Sequence, residues 1–286
     1  MDRIMNQALF FLVLCLSASL AGQILPLKNV VNKAKEVKKA VLTAPVPQIQ
    51  PQERISLIGD LSDADEQALG RETAGRILAV HPVVADDAVQ RYVNLVGGAI
   101  ARQSRRSGLA WTFAVIESGD VNAFAAPGGY ILITRGLYQM LQNEAELAGV
   151  IAHEIAHVNL RHHVRLMQKD RLIAKGQQFL SAQTKQDAIK DLAGTGALIA
   201  TRGLDKSAEY DSDRTGLEYA ARAGYDPYAY IDVLDRMGAD NRADRLSLLF
   251  KTHPHPLDRI NALEKAMGSK WNGVSGSVPG RWIALN

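Results

Sequence analysis

Apolar and polar positions alternate along much of the chain with the period of amphipathic helices. Apolar residues recur every three or four positions over residues 62–80, stopping before Pro82, and again over residues 86–103. The same period returns late in the chain. It predicts helices at residues 206–223, from Asp226 onward, and at residues 256–267.

Three segments between these helical regions have the composition of strands. They cover residues 109–117, 121–126 and 130–133, are rich in apolar residues with β-branched and aromatic members, and include Gly128-Gly129 as the turn before the third. We expect them to form a small antiparallel sheet. The predicted fold class is therefore α+β, mainly helical, with the sheet packed beside a central helix.

That central helix, residues 144–165, carries the most informative motif. Asn143 can cap its start, and acidic residues occupy its first turn, as a helix N-terminus favours. Nothing interrupts the segment, so we predict one continuous helix. Within it, His153 and His157 are four residues apart, which places both imidazoles one turn apart on the same face.

Two imidazoles so placed suit one Zn²⁺, with Glu154 beside them to take a proton from a water at the metal. The competing interpretation is a helix with two hydrogen-bonded core histidines and a surface glutamate. Apolar neighbours such as Val150 and Ile155 place the His/Glu face in a buried or half-buried cleft. We therefore favour a metal site.

Such a site needs a third protein ligand, and one candidate is His163. It follows His157 by six residues, the offset found in metzincins, H-E-x-x-H-x-x-G-x-x-H. That class has glycine midway, whereas this chain has Leu160. On a continuing helix His163 would lie about 240° around from His157, too far to reach the metal. We expect His162 and His163 to be surface residues.

The other candidate lies on a later helix. Glu209 and Asp213 are four residues apart and share one helix face. Glu209 could be the third ligand, and Asp213 could accept the free N–H of a ligand histidine. Spacing alone does not separate this arrangement from a solvated acidic face.

The N-terminus has the features of a secretory signal peptide, residues 1–21. An apolar run of about 13 residues, short for a membrane span of about 20, ends at a Ser-Leu-Ala cleavage site before Gly22. Leu14 before Cys15 argues against a lipoprotein. Cleavage before Gly22 would remove Cys15, the only cysteine, and so would exclude disulfides and cysteine ligands from the mature chain.

The remaining organisation follows from composition. Residues 22–51 are predicted as a basic helix, which could touch a membrane surface or simply be solvated or packed, followed by a proline-rich linker. Residues 52–268 form the main domain, and 269–286 a C-terminal tail. The glycine-punctuated segment 175–203 could be a lid or only a helical excursion. A formal charge of +3 gives no reason to expect a nucleic-acid partner.

Four separated motifs occur in a fixed order. They are NAFAAPGG from Asn122, LAGVIAHEIAHVNLRHH from Leu147, KSAEYDSDRTGLEYAARAGYDP from Lys206 and THPHPLDR from Thr252. In content and order they resemble the HtpX/BepA-type zinc peptidases, gluzincins related to the CaaX prenyl proteases, in their soluble, secreted, stand-alone branch. The resemblance runs from about Gln67 to Met267. It implies a zincin-type metallopeptidase domain with one Zn²⁺ per chain.

Carried over position by position, the resemblance implies a set of site residues. The zinc ligands would be His153, His157 and Glu209, with Glu154 as general base and Asp213 bonded to a ligand histidine. Asn122 would lie on the edge strand that receives the substrate backbone. His253 and Arg259 would lie at the cleft, where His253 is either an oxyanion donor or a resting zinc ligand.

The resemblance also implies a function. It suggests a zinc metalloendopeptidase of the periplasm that hydrolyses unfolded or misassembled envelope proteins, with outer-membrane assembly machinery as a candidate partner. The alternative is an envelope chaperone or assembly factor with latent peptidase activity. Glu154 argues against a purely structural metal site, because a closed site has no need of a base beside the metal.

Overall fold

The computed structural model describes residues 61–175, 204–240, 246, 249, 253–267, 276 and 281–285. All of them belong to one compact unit, Ile58–Asn286. The predicted signal peptide, basic helix and linker lie outside the described residues, as does nearly all of segment 175–203. Within the described part, no helix is long and apolar enough to cross a bilayer.

The described region contains eight helices and three strands. The helices are α1 (Asp63–Val80), α2 (Asp87–Ala101), α3 (Arg135–Met140), α4 (Glu144–Asn159), α5 (His162–Lys175), α6 (Lys206–Arg222), α7 (Ala229–Ala239) and α8 (Pro256–Met267). The strands are β1 (Thr112–Ile116), β2 (Ala123–Ala126) and β3 (Tyr130–Thr134). The mainly helical α+β class is confirmed.

The expectation of an antiparallel sheet was wrong in one pairing. The strand order is β1-β3-β2, with β2 antiparallel to β3 but β1 parallel to it. Gly128 and Gly129, both at positive φ, make the tight turn that reverses the chain between β2 and β3. The third strand thus enters between the first two and runs in the direction of β1. This order leaves β2 at one edge of the sheet.

The prediction of one continuous helix over residues 144–165 was also wrong. Helix α4 ends at Asn159, Arg161 adopts a left-handed φ of 55°, and α5 begins at His162. A left-handed residue other than glycine costs about 1–2 kcal/mol. Contacts distant in sequence offset this cost, since Arg161 forms a 2.6 Å ion pair with the buried Glu66 and donates to the Leu61 carbonyl.

Helix α4 lies at the centre of the domain. Every residue from its start to Val158 is buried, and Asn143 caps it as predicted by accepting from the Glu146 backbone N–H at 3.0 Å. Its first residue, Glu144, accepts hydrogen bonds from Tyr92 and Tyr225 at 2.8 and 2.9 Å. The helix is therefore held from its first turn, which fixes the position of the motif further along.

Two neighbouring elements hold α4 further. Helix α6 approaches it so closely at Gly216 that a Cβ there would lie 2.8 Å from the backbone nitrogen of His153. The described C-terminal residues pack against the same core, where Arg281 pairs with Glu144 and Trp282 stacks on Tyr138 at 5.1 Å. The position of the motif is thus set by contacts at the first turn of the helix and at its middle.

Candidate metal centre

Four side chains from three parts of the fold converge at one side of α4. His153 and His157 come from α4, Glu209 from α6, and His253 from the segment just before α8. One potential ligand atom from each lies within 4.8 Å of the others. Three of the four residues are buried and His253 is partly buried.

The two helical histidines direct the same ring atom to one point. Their Nε2 atoms are 2.9 Å apart, and each lies near a different Glu209 oxygen, at 3.6 Å for His153 and 3.5 Å for His157. His253 joins the group through Nδ1, 2.6 Å from Glu209 Oε2. Three nitrogens and a carboxylate therefore surround a common centre.

A buried ion pair orients the first histidine. Asp213 lies 2.9 Å from His153 Nδ1 and receives two hydrogen bonds from Arg259, which also donates to the hydroxyl of Tyr230. Burial opposes ionisation of Asp213, but Arg259 prevails and lowers its pKa to about 2. The ring of Tyr230 stacks on His153 at 5.6 Å. Because Nδ1 is bonded to a carboxylate, Nε2 is the atom of His153 that is left to bind a metal.

The protonation states of the other groups suit a cation. Burial lowers the pKa of His157 well below its ordinary value, which keeps it neutral. Burial and Arg259 disfavour protonated His153, yet Asp213 and Glu209 raise its pKa to about 9, so a metal would displace a proton. Burial also opposes ionisation of Glu209, but neighbouring histidines, His253 foremost, hold its pKa well below the usual range.

One orphaned atom tests whether these residues fit a metal. Glu209 is fully buried, and its Oε1 has no hydrogen-bond partner in the described part of the chain. A buried ionised carboxylate with an unsatisfied oxygen is costly unless a cation or donor satisfies it. Imidazole nitrogens with one carboxylate oxygen form a donor set that zinc enzymes use. The residues present therefore fit a divalent metal.

A small cavity of about 20 Å³ adjoins this centre, lined by residues that include Glu154, Asn122 and His253. That volume can hold one water molecule. Burial raises the pKa of Glu154, making it a better proton acceptor than an exposed glutamate. Asn122 is buried, and neither atom of its side-chain amide has a hydrogen-bond partner among the described residues.

The structure brings the predicted site residues into one region. Asn122 lies one residue before β2, and Arg259 is buried against Asp213. The expectation that His162 and His163 are surface residues was wrong. His162 is buried and His163 half-buried, because the helix ends after Asn159 and the chain changes direction at Arg161. His163 is absent from the four-residue ligand group.

Sequence reasoning missed two contributors, Tyr230 and Ser212. Tyr230 belongs to an ordinary amphipathic helix and has no local motif. Ser212 lies between two predicted site residues, Glu209 and Asp213, on the same helix face, and that position was the available signal.

A mainly helical domain with a small sheet, in which an H-E-x-x-H helix and a glutamate from a later helix could together hold a metal, is typical of a zincin-type metallopeptidase. Comparison with known proteins agrees with this class. The model of peptidase family M48 matches residues 87–267, more than half of the 286-residue chain. The chain belongs to that family.

Several curated proteins are similar to this chain. A beta-barrel assembly-enhancing protease of Yersinia pestis is 28% identical over 227 residues, covering 76% of this chain and 47% of that protein. The mitochondrial metalloendopeptidase OMA1 of Arabidopsis thaliana is 32% identical, covering 64% and 37%. The metalloprotease YcaL of Escherichia coli is 25% identical, covering 73% and 82%. The chain spans less than half the length of the first two.

Proposed function

We propose that this protein is a zinc-dependent endopeptidase that hydrolyses unfolded or misassembled proteins of the bacterial envelope. One observation carries the proposal. His153, His157 and the Glu209 carboxylate, whose Oε1 lacks a hydrogen-bond partner among the described residues, converge on one point. The cavity beside that point is lined by the buried Glu154. A closed structural metal site would have no need of the Glu154 carboxylate beside it.

The metal in this proposal is one Zn²⁺ per chain, held by His153, His157 and Glu209. Zinc is favoured because these are nitrogen and oxygen ligands of the kinds it binds in gluzincin-type sites. When bound, it would polarise the scissile carbonyl and make a water more acidic. Asp213, fixed by Arg259, holds the ring of His153 in the orientation that binding requires.

Glu154 acts as the general base and then as the general acid. Its carboxylate accepts a proton from the attacking water, and the raised pKa from burial favours this transfer. It then delivers the proton to the nitrogen of the leaving amine. Both transfers take place at the cavity that Glu154 lines.

His253 supplies a second polar group at the reacting carbonyl. Its ring centroid is 5.8 Å from that of His153 and 6.3 Å from that of His157, so it lies beside the metal ligands. We assign it the role of a donor to the developing oxyanion. The same location also suits a second role, in which His253 fills the open coordination position of the metal in the resting enzyme. Removing the side chain slows the reaction in the first role and speeds it in the second.

The substrate would bind as an extended strand. Strand β2 is at the edge of the sheet, and no other strand in the described part pairs with its second side. Asn122, just before it, offers an unpaired donor and an unpaired acceptor, the two groups that a peptide unit can complement. Recognition through the backbone would favour extended, unfolded chains and would require little sequence specificity.

The location and biological context are part of the proposal. The predicted signal peptide supports export to the periplasm, and relatives named beta-barrel assembly-enhancing protease support a role in envelope protein quality control. Outer-membrane assembly machinery is the partner class that this context suggests.

The decisive experiment compares Glu154→Gln with the wild-type protein on unfolded and native substrates. We expect Glu154→Gln to keep its metal and to lose peptidase activity by about 10²-fold or more, as for removal of a general base. His153→Ala should lose the metal as well. Glu72→Gln, at an exposed position on α1, is the matched control and should be fully active. If Glu154→Gln cleaved unfolded casein as fast as wild type, the assigned mechanism would be refuted.

A further inference from the structure

The break after α4 brings a second histidine pair together. Because Arg161 is left-handed, α5 starts in a new direction and its first residue, His162, turns back toward the ligand helix. The Nδ1 atoms of His157 and His162 are 3.1 Å apart, and their rings meet edge to face at 5.2 Å and 73°. His162 is only 7% exposed.

Helix α6 supports this contact from the other side. The hydroxyl of Ser212, fully buried, lies 3.1 Å from His162 Nδ1. Ser212 precedes Asp213, which lies 2.9 Å from His153 Nδ1. The same face of α6 therefore reaches the outer nitrogen of both helical ligands, directly for His153 and through His162 for His157.

We propose that His162, held by Ser212, is a positioning residue for the metal ligand His157, an inference that rests on the proposed metal site. If His157 binds through Nε2, its proton lies on Nδ1 and is donated to His162 Nδ1. His162 must then carry its own proton on Nε2, and its Nδ1 accepts a shared, three-centre hydrogen bond from His157 Nδ1–H and the Ser212 hydroxyl. The contact selects the tautomer of His157 and fixes the plane of its ring, a function that carboxylates and carbonyl groups commonly serve for ligand histidines.

His162 is not itself a ligand. Within the described residues, the group that can surround one ion contains four side chains, and His162 is absent from it. Its Nδ1 is already engaged with His157 and Ser212. The neighbouring His163 offers a comparison, since its ring lies 5.6 Å from that of His157 while no hydrogen bond joins the two in the described structure.

The test measures metal affinity rather than peptidase activity. Full-length wild type and variants are loaded with Co²⁺, whose visible absorption reports ligand geometry, and are then titrated with a chelator. We expect His162→Leu to weaken metal binding by about 10- to 100-fold, as for other outer partners of ligand histidines. His162→Asn should recover most of the affinity and the wild-type spectrum, because its side-chain oxygen can accept near the position of Nδ1. His163→Leu should change neither.

Equal affinity of His162→Leu and wild type would overturn the proposal, as would equal affinities of the Asn and Leu variants. If His162→Leu does not fold, His162→Gln replaces it, since the longer amide places its oxygen away from the Nδ1 position. Equal binding by the Asn and Gln variants would then overturn the proposal. Failure of the wider metal site is distinguishable, because wild type itself would then bind no Co²⁺.

Discussion

Replacing Gly216 by alanine tests whether the close contact of α4 and α6 sets the metal site. A Cβ at this position would lie 2.8 Å from the backbone nitrogen of His153 and 3.0 Å from both the carbonyl carbon and the oxygen of Ala152. The obstructing atoms are backbone atoms of the ligand helix, so no side chain can rotate away. The helices themselves must separate.

The required shift can be estimated from these distances. Ordinary contacts begin at 3.4 Å, so relief of the clash needs a separation of about 0.6 Å, the difference from 2.8 Å. Metal–ligand distances tolerate only about 0.2 Å. Glu209 and Asp213 lie on the same helix as Gly216 and would move with it. We expect metal affinity to fall by about 10- to 100-fold, and overpacking to cost about 1–3 kcal/mol in stability.

Chelator competition on the Co²⁺-loaded protein measures the affinity, and urea unfolding of the metal-free protein measures the stability. Gly75→Ala is the matched control, since Gly75 is exposed in α1 and a Cβ there meets nothing within 4 Å. That control should bind metal normally and gain up to about 1 kcal/mol from helix propensity. Wild-type affinity in Gly216→Ala would refute the claim that this contact sets the ligand geometry.

Three further predictions follow from other parts of the structure. His253→Ala should lower kcat by about 10²–10³ with metal content intact; a variant faster than wild type would show that His253 blocks the resting site. Burial opposes ionisation of Glu144, but hydrogen bonds from Arg281, Tyr92 and Tyr225 outweigh it and lower the pKa of Glu144 in the folded protein. The ionised carboxylate therefore stabilises the fold at pH values above the pKa of the unfolded chain. This stabilisation is lost as the pH falls through the lower pKa of the folded protein. Glu144→Gln should therefore flatten the pH dependence of urea unfolding below about pH 4.5, and an unchanged slope would contradict this. Intact-mass measurement of the exported protein should give a start near Gly22, whereas a lipid on Cys15 would disprove cleavage there.

The sequence alone predicted those features that depend on local pattern. The cap at Asn143 and the first-turn acidic residues placed the start of α4 correctly, because capping involves only neighbours within one turn. The spacing of His153 and His157 likewise needed only the helical period. Local interactions of this kind are complete within a short segment.

The break after α4 could not be predicted in the same way. Nothing between Leu160 and His163 is a helix breaker, and the contacts that stabilise the left-handed Arg161 are those of its side chain with Glu66 and Leu61. Those partners lie about one hundred residues away along the chain. A local pattern carries no information about them, and the error placed two histidines on the surface.

The sheet likewise combines one pairing that local sequence predicts with one that it does not. The Gly128-Gly129 turn predicts that β2 and β3 form an antiparallel hairpin, and they do. Whether β1 pairs with the second or the third strand depends on a contact between separate segments of the chain, which alternation along one strand does not encode. The error in the first pairing therefore left the hairpin, and the edge position of β2, unaffected.

One face of α6 has a spacing that the sequence predicts and contacts that only the structure shows. Glu209, Ser212, Asp213 and Gly216 follow the spacing i, i+3, i+4, i+7 and therefore share one face of the helix. That face carries the proposed metal ligand Glu209, two side chains that contact histidines, and a glycine that lets the backbone of α4 approach. The spacing shows that the side chains share a face but not what that face contacts. Once α4 is opposite, the glycine has a function that no side-chain chemistry suggests. It lets the short carboxylate of Asp213 reach His153 at 2.9 Å, so the distance between the two helices contributes to the geometry of the proposed metal site.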